Sequence, residues 1–190
     1  DYEDILQQQT GGEANTPKPS LPTSPSPAPE NPAPTQPAAA DAPQPPAKSE
    51  PAAPLCFCLP VQGAKTIAPF SGGELVKNHT LNVWRTHDGI DLAAEKGSVV
   101  PAAEAGTVSA VTMDPMWGGT VAVDHTDGTQ TIYCGIAPEK ALKAGDRVTA
   151  GQMLGSVDTV TAEVAMESHL HFAAKKDGKF IDPLSLPGLE

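Results

Sequence analysis

Fourteen of the chain's 21 prolines fall between Pro17 and Pro54, and that concentration divides the sequence before any other pattern is read. The same stretch is filled out with Ala, Ser, Thr and Gln, and no aromatic residue stands between Tyr2 and Phe57. Such a segment has too little apolar surface to offset the entropy of ordering it. Residues 1–54 are therefore expected to be a disordered Pro/Ala-rich stalk, largely polyproline II. At about 3 Å per residue it reaches on the order of 100 Å. A low-complexity tail with no spacing role is the alternative. An acidic opening, Asp1 to Asp4, followed by a stalk is the order expected just outside a membrane anchor. An extracytoplasmic, membrane-anchored placement is anticipated on that ground, and residues 55–190 are left as the foldable part.

Net charge enters as an exclusion. The chain carries −11 in 190 residues, divided almost evenly between residues 1–54 and the remainder. A negative surface of that kind disfavours nucleic acid as partner and gives no attraction to anionic lipid or anionic wall polymers. The three cysteines form no disulfide framework, because Cys56 and Cys58 sit two apart in Leu-Cys-Phe-Cys-Leu and Cys134 is alone downstream. Free or buried thiols are expected. A bridge from Cys134 to one of the pair, or the pair as extra metal ligands, are the alternatives.

From Leu55 onward the pattern is mostly β. Thr107–Met113, Thr120–His125 and Gln130–Tyr133 are rich in β-branched residues, and Asp127-Gly128 reads as the hairpin turn between the last two. Lys143-Ala-Gly-Asp146 and Lys176-Asp-Gly-Lys179 mark further turns, and helical periodicity is absent beyond a short turn near Pro138–Leu142. A faint repeat is present as well: Gly97-Ser-Val-Val-Pro-Ala102 before Gly106-Thr-Val108 resembles Gly145-Asp-Arg-Val-Thr-Ala150 before Gly155-Ser-Val157. Two such motifs interlocked would bury a core that neither buries alone. That arrangement resembles the duplicated hybrid motif of lipoyl and biotinyl carriers and their relatives. A carrier role is disfavoured, since no lysine sits in a tight hairpin of the carrier type.

Chemistry concentrates in His87-Asp-Gly-Ile-Asp91 and His169-Leu-His171. Residues two apart on a strand project from one face, so His169 and His171 can reach one ion or one substrate atom. His87 and Asp91, four apart, align on a helix or a strand. Gly89 between them argues for strand or loop. A His-x-His alone is also compatible with two unrelated histidines, but three histidines and a carboxylate supply the ligands of an open zinc site. Such a site takes three protein ligands and leaves one position for water.

With these residues in view, the part from about Pro60 to Pro187 resembles the lysostaphin-like (LytM) zinc metallopeptidases, which cut peptide cross-links in peptidoglycan. The resemblance is carried by His87-Asp-Gly-Ile-Asp91, Gly97, Gly106, Val123-Asp-His125, Tyr133, Lys143-Ala-Gly-Asp-x-Val148, Gly151, Gly155 and His169-Leu-His171-Phe. It implies a barrel-sandwich β domain of the duplicated hybrid type. It also implies a Zn2+ cofactor held by His87, Asp91 and His171, with His169 as the catalytic histidine. The family's second histidine, in a Tyr-x-His motif, hydrogen-bonds the oxyanion; the corresponding stretch here is Tyr133-Cys134-Gly135. The resemblance therefore implies impaired catalysis that Gly135→His would improve, with an active peptidoglycan endopeptidase as the alternative.

Three neighbouring residues invite other readings. His125 is expected as a hairpin-end histidine, with a substitute catalytic group as the alternative; Tyr133 is read equally as core or site; His79 is read as a solvated loop residue. Asn78–Asp91 and the stretch from Thr161 to His171 further resemble a sporulation branch of the family. That branch implies a forespore-anchored protein whose partner is a mother-cell membrane protein across the intermembrane space, or else peptidoglycan itself.

Overall fold

The computed structural model of the protein describes residues 55–189, and the proline-rich segment read as a stalk lies outside them. In chain order the strands are β1 (Thr66–Ala68), β2 (Val76–Asn78), β3 (Val83–Arg85), β4 (Ile90–Ala93), β5 (Val99–Pro101), β6 (Gly106–Asp114) and β7 (Gly118–Asp124). They continue with β8 (Thr129–Cys134), β9 (Ile136–Pro138), β10 (Arg147–Val148), β11 (Met153–Val157), β12 (His169–Lys176) and β13 (Lys179–Ile181). Two 3-10 turns, η1 (Thr161–Glu163) and η2 (Pro183–Ser185), accompany them, and there is no α-helix among the described residues. Accordingly, none of these residues forms a helix long and apolar enough to cross a membrane.

The main sheet runs β1-β4-β12-β8-β7-β6-β10, with β13 paired to β12; β5-β11-β9 form a second sheet and β2-β3 a separate hairpin. The sequence repeat explains how the two sheets interlock. Gly97 and Gly145 each precede a short strand, and that strand pairs with the other repeat's long one. Thus β5 pairs with β11, and β10 with β6. Gly97 N–H donates to Val157 O and Gly145 N–H to Val108 O, both at 2.8 Å. Val100, Val108, Val148, Leu154 and Val157, drawn from both repeats, share one core cluster. Each large apolar side chain buried there is worth roughly 1.5–3 kcal/mol.

Strand β12 is central, lying antiparallel to β4 on one side and β8 on the other. Its first six residues are all buried, so both faces are covered. The side-chain period of two sorts them. Leu170 and Phe172 turn with Ile90, Leu92 and Tyr133 into the core, while His169 and His171 share the opposite face with Asp91 and Cys134. His171 is registered directly across from Asp91 and from Cys134.

The alternation that separates core from site also explains the cysteines. Phe57 is fully buried, and backbone bonds from Phe57 N–H to Pro187 O (2.8 Å) and from Cys58 N–H to Ala103 O (2.9 Å) pin the segment in place. Its neighbours Cys56 and Cys58 therefore point outward, and all three cysteines are free thiols. Burial pushes the Cys134 thiol up to about 11, which makes it a poor nucleophile at neutral pH.

Tyr133 and His125 belong to the scaffold. Tyr133 is fully buried with its ring 5.3 Å from that of Phe172, and its Oη accepts from Ala103 N–H at 2.8 Å. Thr131 Oγ1 lies 3.1 Å from that Oη and 2.9 Å from His125 Nε2, and His125 Nδ1 donates to Ala105 O at 2.8 Å. The ring of His125 also meets Phe57 edge-on at 5.0 Å. This chain of bonds joins the hairpin end to the 103–105 loop. Burial raises the Tyr133 phenol to about 12, so it stays protonated. Tyr133→Phe would leave Ala103 N–H unpaired inside the protein, and a loss of about 1–3 kcal/mol is expected in urea unfolding, with metal uptake unchanged.

Candidate metal centre

The two histidine motifs meet because β4 and β12 are adjacent. Gly89 makes the approach feasible: a Cβ there would stand 2.6 Å from Phe172 O and 2.9 Å from His171 Nε2. Position 89 therefore has no room for a side chain. Asp91 Oδ1 sits 2.8 Å from His171 Nδ1, 3.2 Å from His87 Nε2 and 4.0 Å from His169 Nε2. His87 is aimed from behind, its Nδ1 donating to Pro69 O at 2.8 Å and leaving Nε2 directed at the cluster. All four sequence-predicted residues, His87, Asp91, His169 and His171, are buried and brought together.

The structure adds a fifth group. Glu163, on η1, is 4% exposed and places Oε2 3.3 Å from His169 Nε2 and 3.6 Å from His171 Nδ1, with Oε1 3.9 Å from His87 Nε2. His87, Asp91, Glu163 and His171 each offer a ligand atom within 4.8 Å of the others. His169 stands beside this set, with its Nδ1 donating to Glu167 O at 2.7 Å.

Burial and the neighbouring charges and hydrogen bonds pull these groups in opposite directions. Burial by itself raises the Asp91 carboxyl, but hydrogen bonds and charge from His171 and His87 outweigh it and hold the group well below the usual carboxylate range. Burial lowers His87, yet Asp91, the Pro69 carbonyl and Glu163 together leave it raised. His169 is raised in the same way, chiefly by Glu163 and the Glu167 carbonyl.

Two buried carboxylates against buried imidazoles fit a divalent cation, since buried charges are paired or coordinate metals. One atom supports this further. Asp91 Oδ2 is buried without any hydrogen-bond partner, an expensive state for a carboxylate oxygen unless a ligand uses it.

Around the cluster lies a groove of about 390 Å3, bordered by Pro69–Ser71, Asn78, His87, Asp91, Glu163 and Met166. On the other side the Trp117 ring packs against His171 with centroids 4.5 Å apart and a tilt of 38°, and the Arg85 guanidinium lies 5.0 Å from the indole. His79 is exposed, as expected of a loop residue. Neither Glu163 nor Trp117 was legible as part of the site, because neither lies in a ligand-spaced motif. The available signals were a carboxylate six residues before His169, and an aromatic residue ahead of the Gly118-Gly119 pair.

Gly135 is where the structure departs furthest from expectation. Its φ is +73°, and a Cβ built there overlaps Val160 Cγ2 and comes within 3.3 Å of Val160 N. The positive φ and the Val160 side chain both count against the expected benefit of Gly135→His. The space a side chain would need is taken by Val160 and the adjoining Thr159 backbone.

An all-β domain of two interlocked motifs, with His-x-x-x-Asp and His-x-His strands side by side over a groove, defines a metallopeptidase-like class. Residues 85–183 match the model of Peptidase family M23, more than half of the chain, and the protein belongs to that family. It is 34% identical over 106 residues to stage II sporulation protein Q of Bacillus subtilis, covering 55% of this chain and 37% of that protein. It is 29% identical over 106 residues to the DD-carboxypeptidase/endopeptidase Mpg of Neisseria meningitidis, covering 56% of this chain and 24% of that one. Among solved structures, a chain of the SpoIIQ-SpoIIIAH pore forming complex matches with a TM-score of 0.61 at 25% identity, covering 72% of this chain and 94% of that one. The chain thus spans well under half the length of these two curated relatives.

Proposed function

We propose that this protein is a zinc-binding M23 domain tethered outside the membrane by its proline-rich residues 1–54. In this reading it is impaired as a peptidase and serves as an envelope interaction module in sporulation. His87, Asp91 and His171 would hold the zinc, which when bound polarises a carbonyl and lowers the pKa of water. The observation that carries the impaired reading is Gly135. It offers no donor to an oxyanion, and its neighbourhood leaves no space for one. Losing one such donor typically costs about 10² to 10³ in turnover.

The sporulation part draws on the likeness to stage II sporulation protein Q and to the complex that protein forms with SpoIIIAH. The proposed placement is the forespore intermembrane space, and the proposed partner a mother-cell membrane protein; the likeness supports this reading.

A second reading keeps an active endopeptidase on peptidoglycan. It is favoured by His169, buried at the cluster with its pKa raised, and by the groove beside it. Incubation with purified peptidoglycan decides between the two. Muropeptide release is expected at no more than about a hundredth of the rate of an intact family member. Robust release abolished by His169→Ala would establish the peptidase instead.

A further inference from the structure

We infer that Glu163 is a fourth protein ligand that closes the metal site, and that Gly135 is the residue that admits it. The inference rests on the proposal that the site holds zinc and adds how that site is finished. An open site of His87, Asp91 and His171 would keep one position for water. Here a buried carboxylate occupies the space beside those three, with oxygens 3.6 Å from His171 Nδ1 and 3.9 Å from His87 Nε2.

Glu163 is fixed in place rather than swept in by a mobile loop. Its own N–H donates to Val160 O at 3.0 Å, closing η1, and Ala162 N–H donates to Met116 O at 2.8 Å. From the opposite side Asn78 Nδ2 donates to Ala162 O at 3.0 Å, and Thr80 Oγ1 accepts from Ala165 N–H at 3.0 Å. The β2–β3 hairpin and the β6–β7 turn thus hold the segment between them.

The remaining anchor is Gly135. Asp158 N–H donates to Gly135 O at 2.7 Å, and Val160, itself 3% exposed, packs where a side chain at position 135 would project. With a side chain at 135, the Val160 side chain would have to give way and the Thr159–Val160 backbone adjust with it, which disturbs the turn that carries the Glu163 carboxylate. The bare Gly135 and the presence of Glu163 at the cluster are therefore sterically linked. Its consequence is electrostatic as well as steric. Two carboxylates neutralise a divalent ion that one would leave with net positive charge, so the site is a weaker electrophile and is closed to water. His169, bonded to Glu163 at 3.3 Å, then positions that ligand instead of facing a water molecule.

The test uses the metal itself on the full chain. Zinc affinity is measured by chelator competition, and the visible spectrum of the cobalt-substituted protein is recorded with and without azide, for the parent, Glu163→Gln and Glu163→Ala. The parent is expected to take up one metal whose cobalt spectrum ignores azide. Glu163→Ala is expected to keep one metal on the other three ligands, bound on the order of tenfold or more weakly, with a spectrum that changes on adding azide. Glu163→Gln, which preserves shape, should fall between the two and serves as the check on folding. A parent spectrum that responds to azide as the Ala variant does, or an affinity within twofold across all three proteins, would overturn closure by Glu163 alone. A parent that binds neither metal would overturn the zinc reading along with it.

Discussion

Chelating the purified protein is expected to lower its thermal midpoint by about 10–20 °C, and His171→Ala should start from the lowered value and respond no further to chelator or zinc. The first part follows from linkage. A ligand that binds only the native state at a thousand times its dissociation constant adds about 4 kcal/mol. For a folded part of this size that corresponds to roughly 3–5 °C per kcal/mol. Without metal the cluster is strained but not ruinous. His87 and His169, raised by their carboxylate neighbours, can carry compensating protons, while Asp91 Oδ2 remains buried and unpartnered. The apo protein is therefore expected to stay folded and to lose stability, in contrast to small zinc domains that unfold outright. His171 is the informative position because it faces Asp91 across the β4–β12 pair and also packs against Trp117. Its removal costs packing as well as a ligand, so the diagnostic quantity is the lost response to zinc, read by calorimetry of both proteins with and without chelator. A parent whose midpoint shifts by less than about 2 °C would mean the cluster is stabilised by its own hydrogen bonds and protons.

What was legible in the sequence follows from which contacts are periodic. His169 and His171 on one strand face required only the two-residue period of β-structure, and the side chains of Leu170 and Phe172 confirm that phase by turning into the core. The repeat likewise indicated an interlocked pair, and β5–β11 and β10–β6 pair in that way. Glu163 was illegible for a physical reason. It sits on a single 3-10 turn with no period, and its arrival depends on Gly135 and on Asn78 more than eighty residues away, neither of which is linked to it by spacing. The same holds for Leu-Cys-Phe-Cys-Leu. The cysteines drew attention by their chemistry, whereas the structural content of the motif is the buried Phe57 between them. His125 and Tyr133 were left with two readings each because only the bond through Thr131 reveals that they satisfy each other's surroundings.

Gly135→His is expected to destabilise the protein by about 2–5 kcal/mol and to restore no peptidase activity. At φ +73° an L-residue pays roughly 1–2 kcal/mol in left-handed backbone strain, and forcing extra atoms into a packed interior adds typically 1–3 kcal/mol. The backbone cannot relieve this by rotating, since Gly135 N–H donates to Trp117 O at 2.8 Å and Gly135 O accepts from Asp158 N–H at 2.7 Å. Gly135→Ala separates the contributions. It carries the same φ and the same Cβ against Val160, so most of the loss measured in urea should already appear there, and the difference between the two variants reports the imidazole ring. A histidine placed there is not expected to rebuild a peptidase site, because Val160, next to the turn that delivers Glu163, occupies the space. A Gly135→His protein as stable as the parent that also released muropeptides would show that this turn yields readily, and the site would then be an open one lacking only its donor.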